Sequence, residues 1–241
     1  MNTTQTLQQL RQLKLNGMAA TYQSQLEQPL HQQLEAHDLI ASLIQSEILN
    51  RDNERTIYYL KLAKLRLNAQ PENVDCSSTR NLSKQQLSLL LQGTYIQQGE
   101  PVLITGPTGC GKSHLACALA HQACIQGYRA QYFNMNRFIE KMMMAKLDGS
   151  YIKQLNFLER TSLIILDDFG LQALDQQIKL ALLQILEDRY AKKSIIITSQ
   201  LPVAKWHEFL NEPTLADAIL DRLTAKAHRI ELKGESMRKK K

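Results

Sequence analysis

A glycine-rich segment at residues 106–113 carries the residue types that bind a phosphate chain. Its sequence, Gly-Pro-Thr-Gly-Cys-Gly-Lys-Ser, matches the pattern Gly-x-x-x-x-Gly-Lys-Ser. Glycines let backbone N–H groups turn inward around an anion, Lys112 can reach the β and γ phosphates, and the Ser113 hydroxyl can bind Mg2+. The helix expected to follow adds the positive end of its dipole. The expected nucleotide-binding positions are Gly106, Pro107, Thr108, Gly109, Cys110, Gly111, Lys112, Ser113 and His114.

Two carboxylates, Asp167 and Asp168, follow the apolar run at residues 163–166. A carboxylate at the carboxyl end of a strand beside the phosphate strand lies where Mg2+ needs an oxygen ligand. Asp167 is therefore the expected metal-side residue, bonded directly or through water. Asp168, pointing the other way, is placed to polarise the attacking water. A turn that simply ends a strand is the alternative for the Asp-Asp pair taken alone.

A third set of polar groups, Thr198, Ser199 and Gln200, follows the apolar run at residues 195–197. Gln200 or Ser199 is expected to hydrogen-bond the γ phosphate or the attacking water, and so to report which nucleotide is bound. The sequence thus offers three catalytic candidates for one site, which are Lys112, Asp168 and Gln200.

A parallel sheet must position these segments, because short apolar strands alternate with longer amphipathic helices from residue 101 onward. Apolar strands between such helices indicate an α/β fold with the sheet covered on both faces, and with ligands bound at the carboxyl ends of its strands. Five strands are expected, at residues 102–105, 129–133, 163–167, 194–199 and 228–232.

The first 70 residues show a different pattern, with leucine and isoleucine at spacings of three and four in a glutamine-rich background. This pattern predicts three or four helices, broken at Gly17 and Pro29, that form a small all-α domain. Residues 71–81 are polar and rich in helix breakers, which predicts a linker. Residues 82–241 are left for the α/β domain.

Length and composition exclude several classes of protein. A chain of 241 residues with 44% apolar content can form one large domain and one smaller one. No apolar run approaches the roughly 20 residues of a membrane-spanning helix, and the N-terminus has no signal pattern, so we expect a cytosolic protein without membrane contact. The four cysteines lack the spacing of a zinc site or a disulfide framework.

The net charge of +6 is unevenly distributed, since residues 225–241 carry seven basic and two acidic side chains. Such a tail favours a polyanion, nucleic acid first, and a solvated chain end is the alternative. A second basic stretch with interleaved tyrosines lies within residues 51–66 and has the composition of a phosphate-binding helix. Its alternative is an ordinary amphipathic helix with hydrated cations. The candidate DNA contacts there are Arg55, Lys61, Lys64 and Arg66.

Four further segments make the chain resemble the IstB family: Asp-Asp-Phe-Gly at 167–170, Thr-Ser-Gln-Leu-Pro at 198–202, Ala-Ile-Leu-Asp-Arg-Leu at 218–223 and Ile-Glu-Leu-Lys-Gly-Glu-Ser-Met-Arg-Lys at 230–239. These are ATP-binding helper proteins of bacterial insertion sequences, a branch of the AAA+ ATPases close to the helicase loader DnaC and the initiator DnaA. Residues 13–22 are similar too, so the resemblance covers nearly the whole chain. It implies an AAA+ sheet of five parallel strands, with ATP and Mg2+ as cofactors.

The resemblance also assigns roles to single residues. Arg222 corresponds to the arginine finger, which reaches the γ phosphate held by the adjacent subunit and makes hydrolysis depend on assembly. Arg238 matches the second sensor arginine, a nucleotide-binding residue. Because only nine residues follow Leu232, we expect no full helical lid. Most AAA+ proteins have glutamate where Asp168 stands, and the shorter carboxylate predicts slow hydrolysis that suits a timing switch.

The family's substrate is DNA, which implies that ATP-bound subunits assemble on the duplex as a helical or ring-like homo-oligomer and hand the site to a cognate transposase. A helical insertion after the second strand, residues 136–160 here, would face the DNA through Lys141, Lys146 and Lys153, and a solvated helix edge is the alternative. Three other functions stay open: a DnaC-like replicative helicase loader, a monomeric P-loop phosphotransferase, and a DNA-coating protein that uses ATP only as structural glue.

Overall fold

The computed structural model describes residues 2–29 and 33–237. By its contacts the chain divides into two compact units, residues 1–58 and 59–241, which we call the N-terminal unit and the C-terminal unit. Among the helices in the described ranges, none is both long enough and apolar enough to cross a bilayer.

The N-terminal unit is helical, as the leucine and isoleucine spacing predicts. Its helices are α1 (Thr3–Gln12), α2 (Asn16–Leu26) and the greater part of α3 (Ala36–Ala63). The expected helix break at Gly17 is wrong, because this glycine lies in the first turn of α2. A Cβ atom at Gly17 would lie 2.4 Å from the carbonyl oxygen of Ser46, so glycine is needed where α2 crosses α3.

The contacts divide the chain earlier than the boundary expected at residue 70. Ala63 and Ala69 are fully buried in the core of the C-terminal unit, and Val74 and Cys76 pack against the same core. Residues 71–81, expected as a linker, include two short 3-10 turns, Pro71–Asn73 and Ser78–Arg80. The end of α3 and this segment therefore belong, by packing, to the C-terminal unit.

A parallel sheet forms the centre of the C-terminal unit. Its strands within the described residues are β1 (Val102–Thr105), β2 (Ala130–Asn134), β3 (Leu163–Phe169), β4 (Ser194–Ser199) and β5 (His228–Glu231). They lie in the order β2-β3-β4-β1-β5, and every neighbouring pair is parallel. Each residue of β1 and β4 is buried, because helices cover both faces. The predicted α/β class is confirmed.

Two apolar clusters lie on opposite faces of this sheet, and successive residues of a strand belong alternately to one cluster and to the other. Ile104 packs with the cluster that includes the helix after the glycine-rich segment, whereas its neighbour Leu103 packs with the cluster that includes the helices after β2 and β3. The helices of the unit after α3 are α4 (Lys84–Leu91), α5 (Thr94–Gln98), α6 (Lys112–Ile125), α7 (Met135–Leu147), α8 (Tyr151–Arg160), α9 (Gln176–Arg189), α10 (Trp206–Leu210) and α11 (Pro213–Thr224).

Candidate functional site

The glycine-rich loop joins β1 to α6 at the carboxyl edge of the sheet. Gly106, Gly109 and Gly111 have φ angles of +147°, +82° and +103°. L side chains rarely adopt this region, so the path of the loop requires glycine at these three positions. The Lys112 amine donates hydrogen bonds of 2.8 Å to the carbonyl oxygens of Gly106 and Pro107. Its charge therefore lies against the loop that would surround a bound phosphate.

Asp167, near the end of β3, is fully buried and accepts hydrogen bonds at both carboxylate oxygens. The Ser113 hydroxyl donates to Oδ1 at 2.9 Å and the Tyr132 hydroxyl donates to Oδ2 at 2.5 Å. Thr198, on the other neighbouring strand, also donates to Oδ1. With both oxygens engaged, Asp167 fixes the position of Ser113 and would act on a metal ion through that hydroxyl or through water.

Asp168 lies at an irregularity of β3, where the pairing register with β4 shifts between Leu166 and Phe169. Its φ of +66° is a left-handed conformation that costs a non-glycine residue free energy and that occurs at functional sites. Its N–H donates to Thr198 Oγ1 at 3.1 Å, and its Oδ2 accepts from Asn134 Nδ2 at 3.0 Å. The pKa of Asp168 is raised above its ordinary value, because burial and the charge of Asp167 outweigh the opposite effect of Arg66 and Lys112.

The side chain of Gln200 contacts the glycine-rich loop, whereas Ser199 meets the loop through its backbone, whose carbonyl oxygen accepts from the Gly106 N–H at 3.2 Å. The Thr108 hydroxyl donates to Gln200 Oε1 at 2.7 Å. Ser199 is fully buried, donates to the Phe169 carbonyl oxygen at 2.6 Å and accepts from the Leu201 N–H at 3.0 Å. Of the two candidates for contact with the γ phosphate, the structure therefore favours Gln200.

A cavity of about 440 Å³ brings most of the predicted nucleotide residues together. We call it the nucleotide cavity, and its lining residues are Arg66, Leu67, Thr108, Gly109, Gly111, Lys112, Ser113, His114, Asp168, Leu171, Gln200 and Met237. The side chain of Cys110 is buried in the core, so this residue would contribute backbone groups only. Burial lowers the pKa of His114, so this side chain is mainly neutral near pH 7.

The donor set suits a hard cation that keeps part of its water shell. Among residues 2–29 and 33–237, no group of three or more His, Cys, Asp or Glu side chains could hold a metal ion. Ser113 and Asp167 instead offer two oxygen-bearing side chains next to the phosphate loop. Mg2+ is commonly bound in this way, by few protein oxygens together with substrate phosphates and water.

Arg222 lies away from the nucleotide cavity. It lines a separate cavity of about 150 Å³ together with Pro101, which precedes β1, and Ile195, near the start of β4. This cavity is thus at the amino edge of the sheet, opposite the phosphate loop. Arg222 donates to Glu187 Oε1 and to the carbonyl oxygen of Ala218, both at 3.2 Å. Arg238 lies outside the described residues.

The basic residues expected at DNA have varied surroundings. Lys61, Lys64 and Lys153 are exposed, and exposed Arg55 pairs with Asp52 at 3.0 Å. Lys141 Nζ lies 5.2 Å from the ring centroids of Phe133 and Phe157, and Lys146 Nζ lies 5.2 Å from that of Tyr151.

Among the candidate DNA contacts, Arg66 has the position that differs most from the one expected from the sequence. It lies in the nucleotide cavity, with Nη1 3.4 Å from Asp168 Oδ2 and 3.6 Å from Asp167 Oδ2. The expectation that Arg66 belongs to a basic helix is wrong, because α3 ends at Ala63 and Arg66 lies beyond it, next to the two aspartates.

The sequence alone assigns no role to three further polar residues of the site: Tyr132, Asn134 and Thr198. Each holds an aspartate in place from a strand next to β3. Asn134 is paired with Asp167 in the register of β2 and β3. It ends an apolar strand as Asp167 and Gln200 do, so the same argument from strand ends applies to it.

Comparison with known proteins places this geometry in one family. The family model described as "IstB-like ATP binding protein" matches residues 8–241. A putative insertion sequence ATP-binding protein of Sinorhizobium fredii, y4pL, is 42% identical over 234 residues, which cover 97% of this chain and 96% of that protein.

Solved structures of two replication proteins have the same fold. AMPPCP-bound DnaA from Aquifex aeolicus aligns over 73% of this chain and 53% of its own, with a TM-score of 0.61 and 21% identity. The DnaC helicase loader aligns over 71% of this chain and 100% of its own, with a TM-score of 0.58 and 21% identity. The predicted fold, a five-stranded parallel sheet with a phosphate loop after its first strand, is confirmed.

Proposed function

The chain belongs to the IstB-like ATP-binding proteins, and on that premise we propose that it is an ATP-dependent, DNA-binding helper of a cognate transposase. In this proposal it assembles on duplex DNA as a homo-oligomer and hydrolyses ATP slowly. The observation that carries the proposal is the contact of Ser113 with Asp167 at the end of a loop held by Lys112. This contact joins a phosphate site to a candidate Mg2+ site in the same cavity.

Four residues of the nucleotide cavity, Lys112, Ser113, Asp168 and Gln200, have separate chemical roles in this proposal. Lys112 neutralises the β and γ phosphates, and Ser113, held by Asp167, would hold Mg2+ against them. The metal would neutralise charge that develops on the phosphate oxygens. Asp168 polarises the attacking water, and Gln200, placed by Thr108, hydrogen-bonds the terminal phosphate or that water.

The place of Arg222 supports a role between subunits. The Arg222 side chain lies at the amino edge of the sheet and does not line the nucleotide cavity of its own subunit. It is available to the cavity of a neighbouring copy, where a cation stabilises the charge of the transition state. Hydrolysis would then require assembly, and release from DNA would follow the loss of the γ phosphate.

A basic groove supports DNA binding on the insertion after β2. The groove has a volume of about 460 Å³ and is lined by Arg129, Lys153, Arg160, Ile152, Asn156 and Phe157, none of them acidic. The Arg129 guanidinium carbon lies 4.8 Å from the ring centroid of Phe157, which fixes this cation at the surface. We assign Lys153, Arg129 and Arg160 to phosphate contacts, which bind with little sequence preference.

The test of the whole proposal is the mass of the protein on DNA. Light scattering after size exclusion, with a duplex and either a non-hydrolysable ATP analogue or ADP, should give large complexes with the analogue and smaller ones with ADP. Lys112→Ala protein is the control and should behave like the ADP sample under both conditions. A wild-type protein that stays monomeric on DNA with the analogue contradicts the proposal.

A helicase loader is the second candidate, because the DnaC helicase loader has the same fold. Pull-down experiments with the full chain separate the two functions. Retention of the transposase from the same insertion sequence supports the first, and retention of a replicative helicase instead supports the second.

A further inference from the structure

Arg66 brings a positive charge to the aspartate end of the nucleotide cavity. Its side chain is 45% exposed, and it lines this cavity together with Lys112 and Ser113. It approaches both Asp167 and Asp168 through the same nitrogen, Nη1. A ligand in the cavity would therefore meet the guanidinium directly.

The chain on either side of Arg66 is anchored to the C-terminal unit. Ala63 and Ala69 are fully buried in its core, and Lys64 has a φ of +51°, which turns the chain after α3. Hydrogen bonding to Tyr132 and the charges of the two aspartates raise the pKa of Arg66. The backbone thus holds a permanently charged side chain at a defined place.

The contacts of Arg66 with the aspartates leave it free to bind another acceptor. Strong hydrogen bonds between a guanidinium and a carboxylate measure about 2.7–2.9 Å, whereas these two pairs measure 3.4 and 3.6 Å. Both contacts are therefore weaker than a direct charge-assisted hydrogen bond, although Asp167 is buried and Asp168 is only 23% exposed. The guanidinium also has five N–H donors, more than these two contacts use.

The terminal phosphate of a bound nucleotide would lie close to this guanidinium. In a phosphate loop the lysine reaches the β and γ phosphates, and the serine hydroxyl holds the metal between them. The γ phosphate then lies between Lys112, Ser113 and the aspartates, where two carboxylates repel it. A second cation at this end of the cavity offsets that repulsion.

We propose that Arg66 binds the terminal phosphate within its own subunit and makes the site prefer a nucleoside triphosphate to a diphosphate. This inference rests on the proposed function, because it requires that the cavity binds ATP. Arg66 would act in the same subunit, whereas Arg222 would act on the nucleotide of a neighbour. The site would then distinguish ATP from ADP before any oligomer forms.

The test compares the binding of a fluorescent non-hydrolysable ATP analogue and fluorescent ADP, both with Mg2+ and without DNA. We expect Arg66→Ala to weaken binding of the ATP analogue about tenfold or more, since a charge-assisted contact is lost, while ADP affinity changes less than about twofold. Arg66→Lys should retain part of the preference, because an amine keeps the charge without the planar fork. Arg137→Ala, which removes an 81% exposed arginine of the same unit, should alter neither affinity.

Two results overturn the inference: equal weakening of both nucleotides, or no change in either affinity. Either means that Arg66 only holds the segment after α3 in place. Should Arg66→Ala protein fail to fold, Arg66→Gln removes the charge with a smaller loss of packing, and the same two results apply. Wild-type protein that binds neither nucleotide, or Lys112→Ala protein that binds both normally, would instead contradict the proposed function.

Discussion

Asp168 combines three properties that suit a residue acting on water: a carboxylate, partial access to the nucleotide cavity and an unusual backbone conformation. Aspartate tolerates positive φ better than most residues, because its short side chain bonds locally. Thr198 and Asn134 fix its backbone and its carboxylate. The shorter side chain is therefore compatible with the left-handed position in β3, although glutamate reaches further.

Asp168→Asn isolates the chemistry of the carboxylate from its shape. Asparagine has nearly the same size and also tolerates positive φ, so folding and ATP affinity should stay close to wild type. ATP hydrolysis should fall about a hundredfold or more because the group that polarises water is lost. The measurements are phosphate release, ATP affinity and the lifetime of the DNA complex, which should lengthen. Unchanged release from DNA would favour ATP as structural glue.

At the scale of elements, the contact of α2 with α3 depends on one buried carboxylate. Glu47 is 5% exposed and accepts from the N–H groups of Gly17 and Met18 at 2.9 and 3.3 Å, next to its ion pair with Arg51 at 2.8 Å. The two amides belong to the first turn of α2, which has no carbonyl partners of its own within the helix. An anion there also interacts well with the helix dipole.

This contact predicts an acid-sensitive N-terminal unit. Hydrogen bonding from Arg51 and from the two amides lowers the pKa of Glu47 below 4.5, so its stabilising effect is present above that pH and is lost as the pH falls through the folded-state value. Hydrogen exchange of α2 should be slower in wild type than in Glu47→Gln at pH 7, and the difference should shrink near pH 4. A difference independent of pH would contradict this assignment.

Arg189 holds several elements together at the amino edge of the sheet. It is 2% exposed, and its guanidinium donates to the carbonyl oxygens of Thr161 and Ser194 at 2.7 and 2.5 Å, as well as to those of Leu158 and Ser162. These carbonyls lie at the end of α8 and at the starts of β3 and β4. One side chain thus supplies donors to carbonyls of three elements, and two of these carbonyls, those of Leu158 and Ser162, also accept backbone N–H groups.

Arg189→Ala should therefore lower the free energy of unfolding by about 3 kcal/mol, because it removes donors from buried carbonyls and opens a cavity. Urea unfolding followed by circular dichroism measures this change. The matched control is Arg137→Ala, which removes an exposed arginine and should stay within about 0.5 kcal/mol of wild type. A loss below about 1 kcal/mol for Arg189→Ala would mean that water replaces the guanidinium.

Most of the strands could be predicted because they are short, largely apolar runs bounded by polar residues or glycine. Four of the five expected strands agree with the observed ones within one residue at both ends, and the expected β3 ends two residues early. The extension of β3 to Phe169 could not be predicted, because the register shift at Asp168 arises from pairing with β4. In the same way, the sequence alone does not distinguish Arg66 from the other basic residues of the predicted helix. Its place follows from where α3 ends and from the burial of Ala63 and Ala69, which are tertiary effects.

At the scale of the whole molecule, the basic groove predicts a specific change in salt dependence. If Arg129, Lys153 and Arg160 each contact a phosphate, replacing all three by alanine should reduce the slope of log affinity for DNA against log salt by about 3. Replacing Lys84, Lys179 and Lys205, which lie elsewhere on the same unit, removes the same charge and is the control. Equal loss of slope in both triple variants would mean that net charge, and not the groove, attracts the DNA.

The division of one catalytic site between two copies of the chain predicts complementation between inactive variants. Asp168→Asn protein lacks the water-polarising carboxylate but keeps Arg222, whereas Arg222→Ala protein keeps the cavity but lacks the finger. In a head-to-tail assembly of equal amounts, about a quarter of the interfaces join an intact cavity to an intact finger. ATP hydrolysis on DNA should therefore rise well above that of either variant alone. A mixture no more active than its components would show that Arg222 does not act across the interface. A fully active Arg222→Ala protein would show that hydrolysis does not depend on an arginine from the neighbouring subunit.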